Sequence, residues 1–223
     1  VFTPNMTILF AQGKIEELKK EVFKAGKINI DLLGIPFAIL IAFGQSFFEL
    51  WMPELNSLNL QILSITYALS FAVVVGTAPL WNLFVIVNKT KANSNSVIIS
   101  GLFSVIITII TLEYTHSFWA ALAICGISSI TSILRNILFV IPVSAKYLHL
   151  KWTTFFPLLG YTILNFVVDI LLGMGITKVI RVDSWASLLI ASVLLVIVSL
   201  IFAFLVILNK NERRFIATTL MRK

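Results

Sequence analysis

The stretch Ala186–Leu208, ASLLIASVLLVIVSLIFAFLVIL, is 23 residues long and contains no charged side chain. A bilayer core of about 30 Å is crossed by about 20 helical residues, so this stretch can span a membrane. Five further apolar stretches precede it, the third of them only marginally long enough: Ile30–Leu50, Leu60–Val87, Val97–Leu112, Phe118–Val143 and Thr154–Ile176. We therefore predict an all-α fold, a polytopic bundle of six transmembrane helices.

The composition of the chain is that of a membrane protein. Hydrophobic residues make up 59% of it and charged residues 12%, against about 45–50% and about 25% in soluble domains. A net charge of +7 would suggest a nucleic-acid partner for a soluble protein. Here the distribution of the basic residues has another explanation, and we expect no nucleic acid among the partners.

Lysine and arginine fall almost entirely on alternate connections between the predicted spans. Fourteen of the 17 lie before the first span, in the second–third or fourth–fifth connection, or after the last span. Only Lys178 and Arg181 lie in the other connections, and Arg135 lies inside the fourth span. Because basic loops stay in the cytoplasm, we predict both chain ends there, in a multi-pass protein of the inner (cytoplasmic) membrane.

The chain is predicted to have three parts. Residues 1–29 contain the end of a preceding membrane helix and then, after Gly13, an amphipathic cytoplasmic helix over Lys14–Ile28. Such a helix would lie in the membrane interface, where its lysines meet lipid headgroups, or it would be an ordinary solvated helix. Residues 30–208 form the six-span bundle and residues 209–223 a basic cytoplasmic tail. Since the chain starts inside a helical pattern without methionine or a leader, we expect the C-terminal part of a longer protein.

Arg135 is the main polar candidate within a span, because an ionisable group at membrane depth usually faces a polar interior. It lies about 16 Å along the helix from Lys146, which predicts a position near mid-membrane. Ser128, Thr131, Ser132 and Arg135 follow helical spacing and share one face. Arg135 could receive an anion such as a lipid diphosphate, to which a guanidinium donates two parallel hydrogen bonds. Alternatively, it is a structural arginine bonded to backbone carbonyls or to a carboxylate of a neighbouring helix.

A second polar stripe lies on the fifth span, where Tyr161, Asn165 and Asp169 are four residues apart. Asp169 could bind a coupling ion or accept a hydrogen bond between helices. Gln45 and Glu49, also four apart near the outer end of the first span, are candidates for a rim or a substrate contact. The sequence leaves these alternatives open.

Asn82 is a further cavity candidate in the second span. It follows Pro79, which frees a backbone carbonyl and kinks a helix. Metal-ligand spacing, a glycine-rich phosphate loop and a nucleophile elbow are all missing, and His116 and His149 fall on opposite predicted faces. We expect neither an enzyme nor a bound metal or cofactor.

Four stretches occur in an order that is typical of one family. A helix end passes into a charged amphipathic helix, a span with an early proline ends in a Leu-Trp turn, a span closes on Asn-Lys-x-Lys, and a proline precedes a Lys-Tyr-Leu exit. These stretches are Thr3–Leu18, Ile35–Glu54, Leu80–Lys91 and Ile141–Leu148. Together they resemble the C-terminal half of polysaccharide-repeat-unit flippases, the O-antigen and capsule exporters of the multidrug/oligosaccharidyl-lipid/polysaccharide exporter superfamily.

The resemblance implies the C-terminal bundle of a fourteen-helix carrier, with Arg135 lining its cavity. It implies movement of polyprenyl-diphosphate-linked oligosaccharide by alternating access. The expected partners are that glycan lipid, membrane lipids and the glycan polymerase and glycosyltransferases. Two other functions stay open, a cation-coupled antiporter for drugs or small molecules of the same superfamily and a noncatalytic scaffold in a glycan-assembly complex. An arginine as the deepest charge favours an anionic substrate over an organic cation.

Overall fold

The computed structural model describes residues 2–207, without the side chains of residues 72, 206 and 207. Within that range the protein is made of α-helices and two π-helical turns, without a β-strand. The helices are α1 (Phe2–Ala11), α2 (Ile15–Trp51), α3 (Ser57–Ile86), α4 (Thr90–Leu112), α5 (Ser117–Arg135), α6 (Ile141–Tyr147), α7 (Pro157–Thr177) and α8 (Trp185–Phe202). The π-helical turns are Asn136–Val140, which joins α5 to α6, and Ala203–Ile207, which follows α8.

The predicted fold class is confirmed. Six helices are long and apolar enough to cross a membrane, with α5 and α6 counted as one through their π-helical turn. The marginal third span is part of a 23-residue helix, because α4 begins at the polar residue Thr90. Helix α7 begins three residues later than the predicted span, at Pro157, whose ring favours the first turn of a helix. The predicted tail, 209–223, lies outside the described residues.

The amphipathic segment and the first span form one continuous helix, so the boundary expected between residues 29 and 30 lies inside α2. This helix has 37 residues, about 55 Å at 1.5 Å per residue, well beyond the thickness of a bilayer core. The break at Gly13, with φ of 70°, separates it from α1. Leu18 and Val22, on the apolar stripe of the segment, are fully buried inside the protein. The stripe therefore packs against other helices of the bundle and does not face solvent.

Helix α2 is the centre of the bundle. It packs against α1, α3, α7 and α8, while α5 covers the far side of α3 and carries α4 at the periphery. One apolar core cluster lies at the end of the bundle that contains Lys89 and Lys146, hereafter the basic end. It includes Leu18 and Val22 of α2. A second, smaller cluster lies towards the other end and is built on Ala38 and Phe43 of the same helix.

A layer of buried polar residues separates the two apolar clusters. Its members are more than nine-tenths buried and come from α2, α3, α7, α8 and the π-helical turn after α5: Lys27, Asp31, Thr77, Asn136, Thr162, Asn165, Asp169 and Ser199. Gly76 of α3 brings the helices together at this level, because a Cβ there would collide with Thr162 Oγ1 of α7. The bundle therefore encloses polar groups at mid-length, where their position depends on close helix contacts.

Candidate functional site

Arg135 reaches from the end of α5 to the neighbouring helices α3 and α4. Its Nε donates to Ser96 Oγ at 3.1 Å and its Nη2 to Asn93 Oδ1 at 2.7 Å. Its guanidinium carbon lies 5.7 Å from the ring centroid of Trp81 on α3, within the range of a cation–π contact. Three helices thus hold the guanidinium in place.

The guanidinium lies nearer the basic end than the backbone of Arg135. The next residue, Asn136, accepts a hydrogen bond from Thr77 Oγ1 at 3.2 Å, whereas the guanidinium lies over Trp81, four residues further along α3. The side chain therefore extends by about one helical turn, about 6 Å, towards that end. Helical distance predicted a position near mid-membrane, too deep for the side chain to reach the headgroups easily, whereas the side chain extends towards the basic end.

Within residues 2–207, the groups that contact Arg135 leave its positive charge uncompensated. Its partners are a hydroxyl, an amide oxygen and an aromatic ring, all neutral. Among the described residues Arg135 forms no ion pair with a carboxylate. The partners thus differ from the backbone carbonyls or the carboxylate that a purely structural arginine was expected to find. Arg135 as a whole is only partly buried.

The predicted polar face of α5 is only partly present. Thr131 is buried but donates to the Ile127 carbonyl of its own helix at 2.7 Å. Ser128 is exposed and Ser132 half-buried, and the Ser132 carbonyl accepts a hydrogen bond from Asn136 at 2.9 Å. The four residues share a helix side, yet the structure does not gather their side chains into one polar surface.

Sequence reasoning missed Ser129, which makes the contact between α5 and α3. Its hydroxyl is buried and lies 2.6 Å from the Thr66 carbonyl and 2.9 Å from the Tyr67 carbonyl. Asn82 lies directly after Trp81 on α3 and is half-buried. Asn82 is therefore next in sequence to the ring that covers Arg135.

A second group of polar residues, the α2–α7 polar cluster, lies deeper in the bundle. It consists of side chains from α2, α7 and α8, namely Lys27, Asp31, Tyr161, Asn165, Asp169 and Ser199. Lys27 Nζ lies 4.8 Å from the Tyr161 ring centroid, and Asn165 Nδ2 donates to Asp169 Oδ2 at 2.9 Å. Only 5% of Lys27, 6% of Asp31 and 1% of Asp169 is exposed to solvent. The predicted stripe on α7 is thus part of a larger cluster.

Gly34 explains how α2 approaches this cluster. A Cβ at Gly34 would lie 3.2 Å from Asn165 Nδ2 and 3.6 Å from Asp169 Oδ2. Asp31 precedes Gly34 by three residues and follows Lys27 by four, so the three share a helix face. This spacing in the sequence could have identified Lys27 and Asp31 as members of the cluster. We had assigned Lys27 to the basic segment before the first span and had not identified Asp31.

Gln45 and Glu49 lie apart from both groups. Gln45 Nε2 donates to Glu49 Oε1 at 2.9 Å, and Ser57 Oγ donates to the same oxygen at 3.2 Å. These residues line an open recess of about 530 Å³ beside the α2–α3 connection, at the end of the bundle opposite the basic end. In residues 2–207 there is no group of three histidine, cysteine or acidic side chains that could hold a metal ion.

The similarity of the chain to known proteins points to a membrane protein. It is 24% identical over 216 residues to the uncharacterized membrane protein EpsK of Bacillus subtilis (strain 168). The alignment covers 97% of this chain but 42% of EpsK, so the chain spans less than half the length of that curated relative. No protein-family model and no solved structure matches the chain. The six membrane-length helices and the similarity to EpsK both indicate a membrane protein.

Proposed function

We propose that this protein works as a flippase that moves lipid-linked oligosaccharide or polysaccharide repeat units across the cytoplasmic membrane by alternating access. The observation that carries the proposal is the uncompensated guanidinium of Arg135, held between three helices of a membrane bundle. A glycan cannot cross hydrocarbon alone, so its carrier must offer polar groups while the polyprenyl tail stays in lipid. The diphosphate that joins glycan and tail needs a cation on this path.

The geometry of Arg135 suits a diphosphate. A guanidinium has five N–H donors in a fixed fork, and the protein uses two of its donor nitrogens, Nε and Nη2. The remaining N–H groups are free to donate to phosphate oxygens. Asn93 and Ser96 orient the group without neutralising it. The neighbouring Trp81 ring offers an apolar surface of the kind on which sugar rings pack.

The resemblance of four ordered stretches to repeat-unit flippases supports the same function. EpsK is described only as an uncharacterized membrane protein, so the similarity supports the membrane class and not the substrate. In the proposed function, membrane lipids surround the protein, and the glycosyltransferases and polymerase that make and extend the glycan are its partners.

One structural observation favours a contribution from cation-coupled transport, as in the antiporter alternative. Asp31 and Asp169 place two carboxylates in the centre of the bundle, where the sequence had suggested an arginine as the deepest charge. Buried carboxylates in membrane helices commonly belong to ion pathways. The cation could drive the same flippase, so this observation and the anionic substrate are compatible.

The test is a set of substitutions at Arg135 in the full-length gene product. We expect Arg135→Glu to lower the appearance of lipid-linked glycan on the outer membrane face at least tenfold, because a carboxylate repels the diphosphate. Arg135→Lys should retain part of the activity, since it keeps the charge but loses the fork. Arg181→Glu, an equal charge change on an exposed residue, is the matched control.

Membrane insertion and folding have to be measured for each variant. Arg135→Gln serves as a second test, because it removes the charge while its amide can still donate to Asn93 or Ser96. Normal flipping by inserted Arg135→Glu and Arg135→Gln proteins would refute the role of Arg135 on which the proposal rests. Normal flipping by the Arg181→Glu protein, together with lost flipping by the Arg135 variants, would support the proposal.

A further inference from the structure

We propose that Lys89, Lys91, Lys146 and Lys151 form a binding surface for the headgroups of anionic phospholipids at the basic end of the bundle. These residues, hereafter the four-lysine surface, lie at the start of α4, in the last turn of α6 and in the connection between α6 and α7. The inference leaves out Arg135 and does not rest on the proposed function. It names the class of membrane lipid that the protein selects and the place at which it does so.

The four-lysine surface carries positive charge that no carboxylate balances. All four residues are exposed, and none of them forms an ion pair within residues 2–207. Residues 55–112 and residues 114–168 contain no aspartate or glutamate. Glu54 and Glu113, which border these ranges, lie in connections at the opposite end of the bundle. The surface therefore has no acidic residue nearby in its own part of the chain.

The first turns of α2, at the same end of the bundle, show the opposite arrangement. Residues 14–24 contain four lysines and three glutamates, a net charge of +1. Each glutamate pairs with a lysine: Lys14 with Glu17 at 3.9 Å, Lys19 with Glu16 at 3.4 Å and Lys24 with Glu21 at 3.6 Å. Opposite charges this close largely cancel at a distance. Among the described residues, the excess positive charge of the basic end is therefore mainly on the four-lysine surface.

The dipoles of the helices that border the surface do not compensate its charge. At the basic end, α3 and α6 present their C-terminal ends, each equivalent to about half a negative charge. Helices α4 and α7 present their N-terminal ends there, each equivalent to about half a positive charge. The four contributions nearly cancel, so the partner that suits this surface is an external anion.

The backbone holds the lysines at the level of the helix ends. Helices α3 and α6 both end in a Schellman motif, with Asn88 and His149 as the left-handed residues at φ of 54° and 56°. In α3 the amide of Lys89 itself closes the motif by donating to the Phe84 carbonyl at 2.7 Å. Lys146 lies in the last turn of α6. These lysines therefore start from fixed positions at the end of the bundle.

The two halves of the surface lie side by side because the ends of α3 and α6 pack on each other. Phe84 of α3 contacts Tyr147 of α6 edge-on, with the ring centroids 5.9 Å apart. Lys89 follows Phe84 by five residues, and Lys146 directly precedes Tyr147. The two connections thus present their lysines to the same region of the membrane surface.

The surface adjoins an exposed apolar side of the bundle, which favours a lipid over a soluble anion or an acidic protein. The most apolar stretch of α4 contains no buried residue within residues 2–207, and side chains such as Ile98 and Leu102 are exposed. Trp152, which directly follows Lys151, is 64% exposed, and tryptophan is typical of the level of lipid headgroups. A phospholipid beside α4 would place its chains along an apolar helix and its headgroup beside the lysines.

The expected selectivity follows from the charge. A basic residue close to an anionic lipid surface adds about 1 kcal/mol to binding, about a fivefold gain in affinity. Removing two of the four lysines should therefore lower the preference for an anionic over a zwitterionic lipid by about 5–25-fold. Because the lysines are exposed, the preference should also disappear at about 1 M NaCl, where the Debye length is about 3 Å.

The experiment measures lipid selectivity of the purified full-length protein in bilayers that mix phosphatidylglycerol with phosphatidylcholine. One of the two lipids carries brominated acyl chains, which quench the fluorescence of tryptophans that they contact. The difference between wild type and Trp152→Phe isolates the signal of Trp152 at the four-lysine surface. We expect wild type to prefer phosphatidylglycerol about 25-fold or more at about 0.01 M NaCl and to show no preference at about 1 M NaCl.

Paired substitutions assign the preference to the surface. The double variants Lys89→Gln/Lys91→Gln and Lys146→Gln/Lys151→Gln should each lower it by about 5–25-fold, whereas arginine at positions 89 and 91 should retain it. The matched control is Lys14→Gln/Lys19→Gln, which removes two charges from α2 and should leave the preference within about twofold. An equal loss in the control would overturn the inference, as would the absence of any preference in the wild type.

Two soluble competitors separate the lipid from other anions. Glycerol phosphate carries the charge of the headgroup without the chains, and polyglutamate represents an acidic protein segment. Displacement of phosphatidylglycerol from the surface by either competitor would overturn the inference in favour of a free anion or an acidic partner. If one double variant does not fold, the other decides. Because the assay contains no lipid-linked glycan, a negative result here leaves the proposed function unaffected, and failure of the flipping test leaves this inference unaffected.

Discussion

Replacing Gly76 by alanine should separate the helices that enclose the polar layer. A Cβ at this position would collide with Thr162 Oγ1 and lie 3.0 Å from Ile30 Cδ1 and 3.2 Å from Ile30 Cγ1. The new methyl group therefore meets side chains of α7 and α2 at once. Gly101 on α4 is the matched control, because a Cβ there meets no atom within 4 Å.

The size of the effect follows from two opposing contributions. An extra methyl group in a filled core costs about 1–3 kcal/mol, while alanine in place of glycine inside a helix gains about 0.8–1 kcal/mol. Gly101→Ala should show only the gain in helix propensity, whereas Gly76→Ala should show that gain together with the packing cost. The free energy of unfolding should therefore differ by about 1–3 kcal/mol between the two variants. At about 2–4 °C per kcal/mol for a domain of this size, the Tm should differ by about 2–12 °C.

The assay is the fraction of monodisperse protein that remains after heating, measured by size-exclusion chromatography in detergent. The same pair of variants is then made in a Thr162→Ala background, which removes the oxygen that collides. We expect the cost of Gly76→Ala to fall in that background, a coupling that a double-mutant cycle detects. Equal Tm values for Gly76→Ala and Gly101→Ala would refute the close approach of α2, α3 and α7.

Two further predictions concern single contacts. Ser129→Ala should lower the free energy of unfolding by about 0.6–1.7 kcal/mol, since it removes an interhelical hydrogen bond. Ser128 is exposed, so Ser128→Ala should leave the Tm unchanged. Equal effects of the two substitutions would contradict the assignment of Ser129 to the α3 contact. Gly13→Ala should lower the free energy of unfolding by about 1–2 kcal/mol, because the backbone at Gly13 is left-handed. Gly13→Asn should lower it clearly less, and heat unfolding measures both changes. Equal Tm values for the two variants would argue against the left-handed conformation.

The Arg135 group shows which features of a site can be predicted from the spacing of residues along the chain. The position of Arg135 within a span follows from the sequence, because it depends only on hydropathy along the chain. Its partners Asn93 and Ser96 are separated from it by 42 and 39 residues and lie on a helix whose rotation the sequence does not specify. The choice between Ser128 and Ser129 depends on the same rotation. One residue changes the direction of a side chain by about 100° around a helix.

The α2–α7 polar cluster shows a different reason for a missed prediction. Tyr161, Asn165 and Asp169 were found because they repeat along one helix. Lys27 was assigned to the basic segment by its neighbours in sequence, although α2 continues through it without a break. No proline occurs between residues 15 and 35, so nothing there forces the helix to end. The charge pattern suggested a boundary at a place where the backbone of α2 continues as a helix.

The sequence by itself determined the six membrane-length helices and the candidate polar residues they contain, because length, hydropathy and helical spacing are properties of contiguous segments. The tertiary structure alone decided which of those residues meet. Contacts at Gly34 and Gly76 set the distance between α2, α3 and α7, and the contact at Gly34 brings α2 close to Asn165 and Asp169. Such contacts join residues far apart in the chain, and their register depends on side-chain packing across helices, which no local pattern encodes.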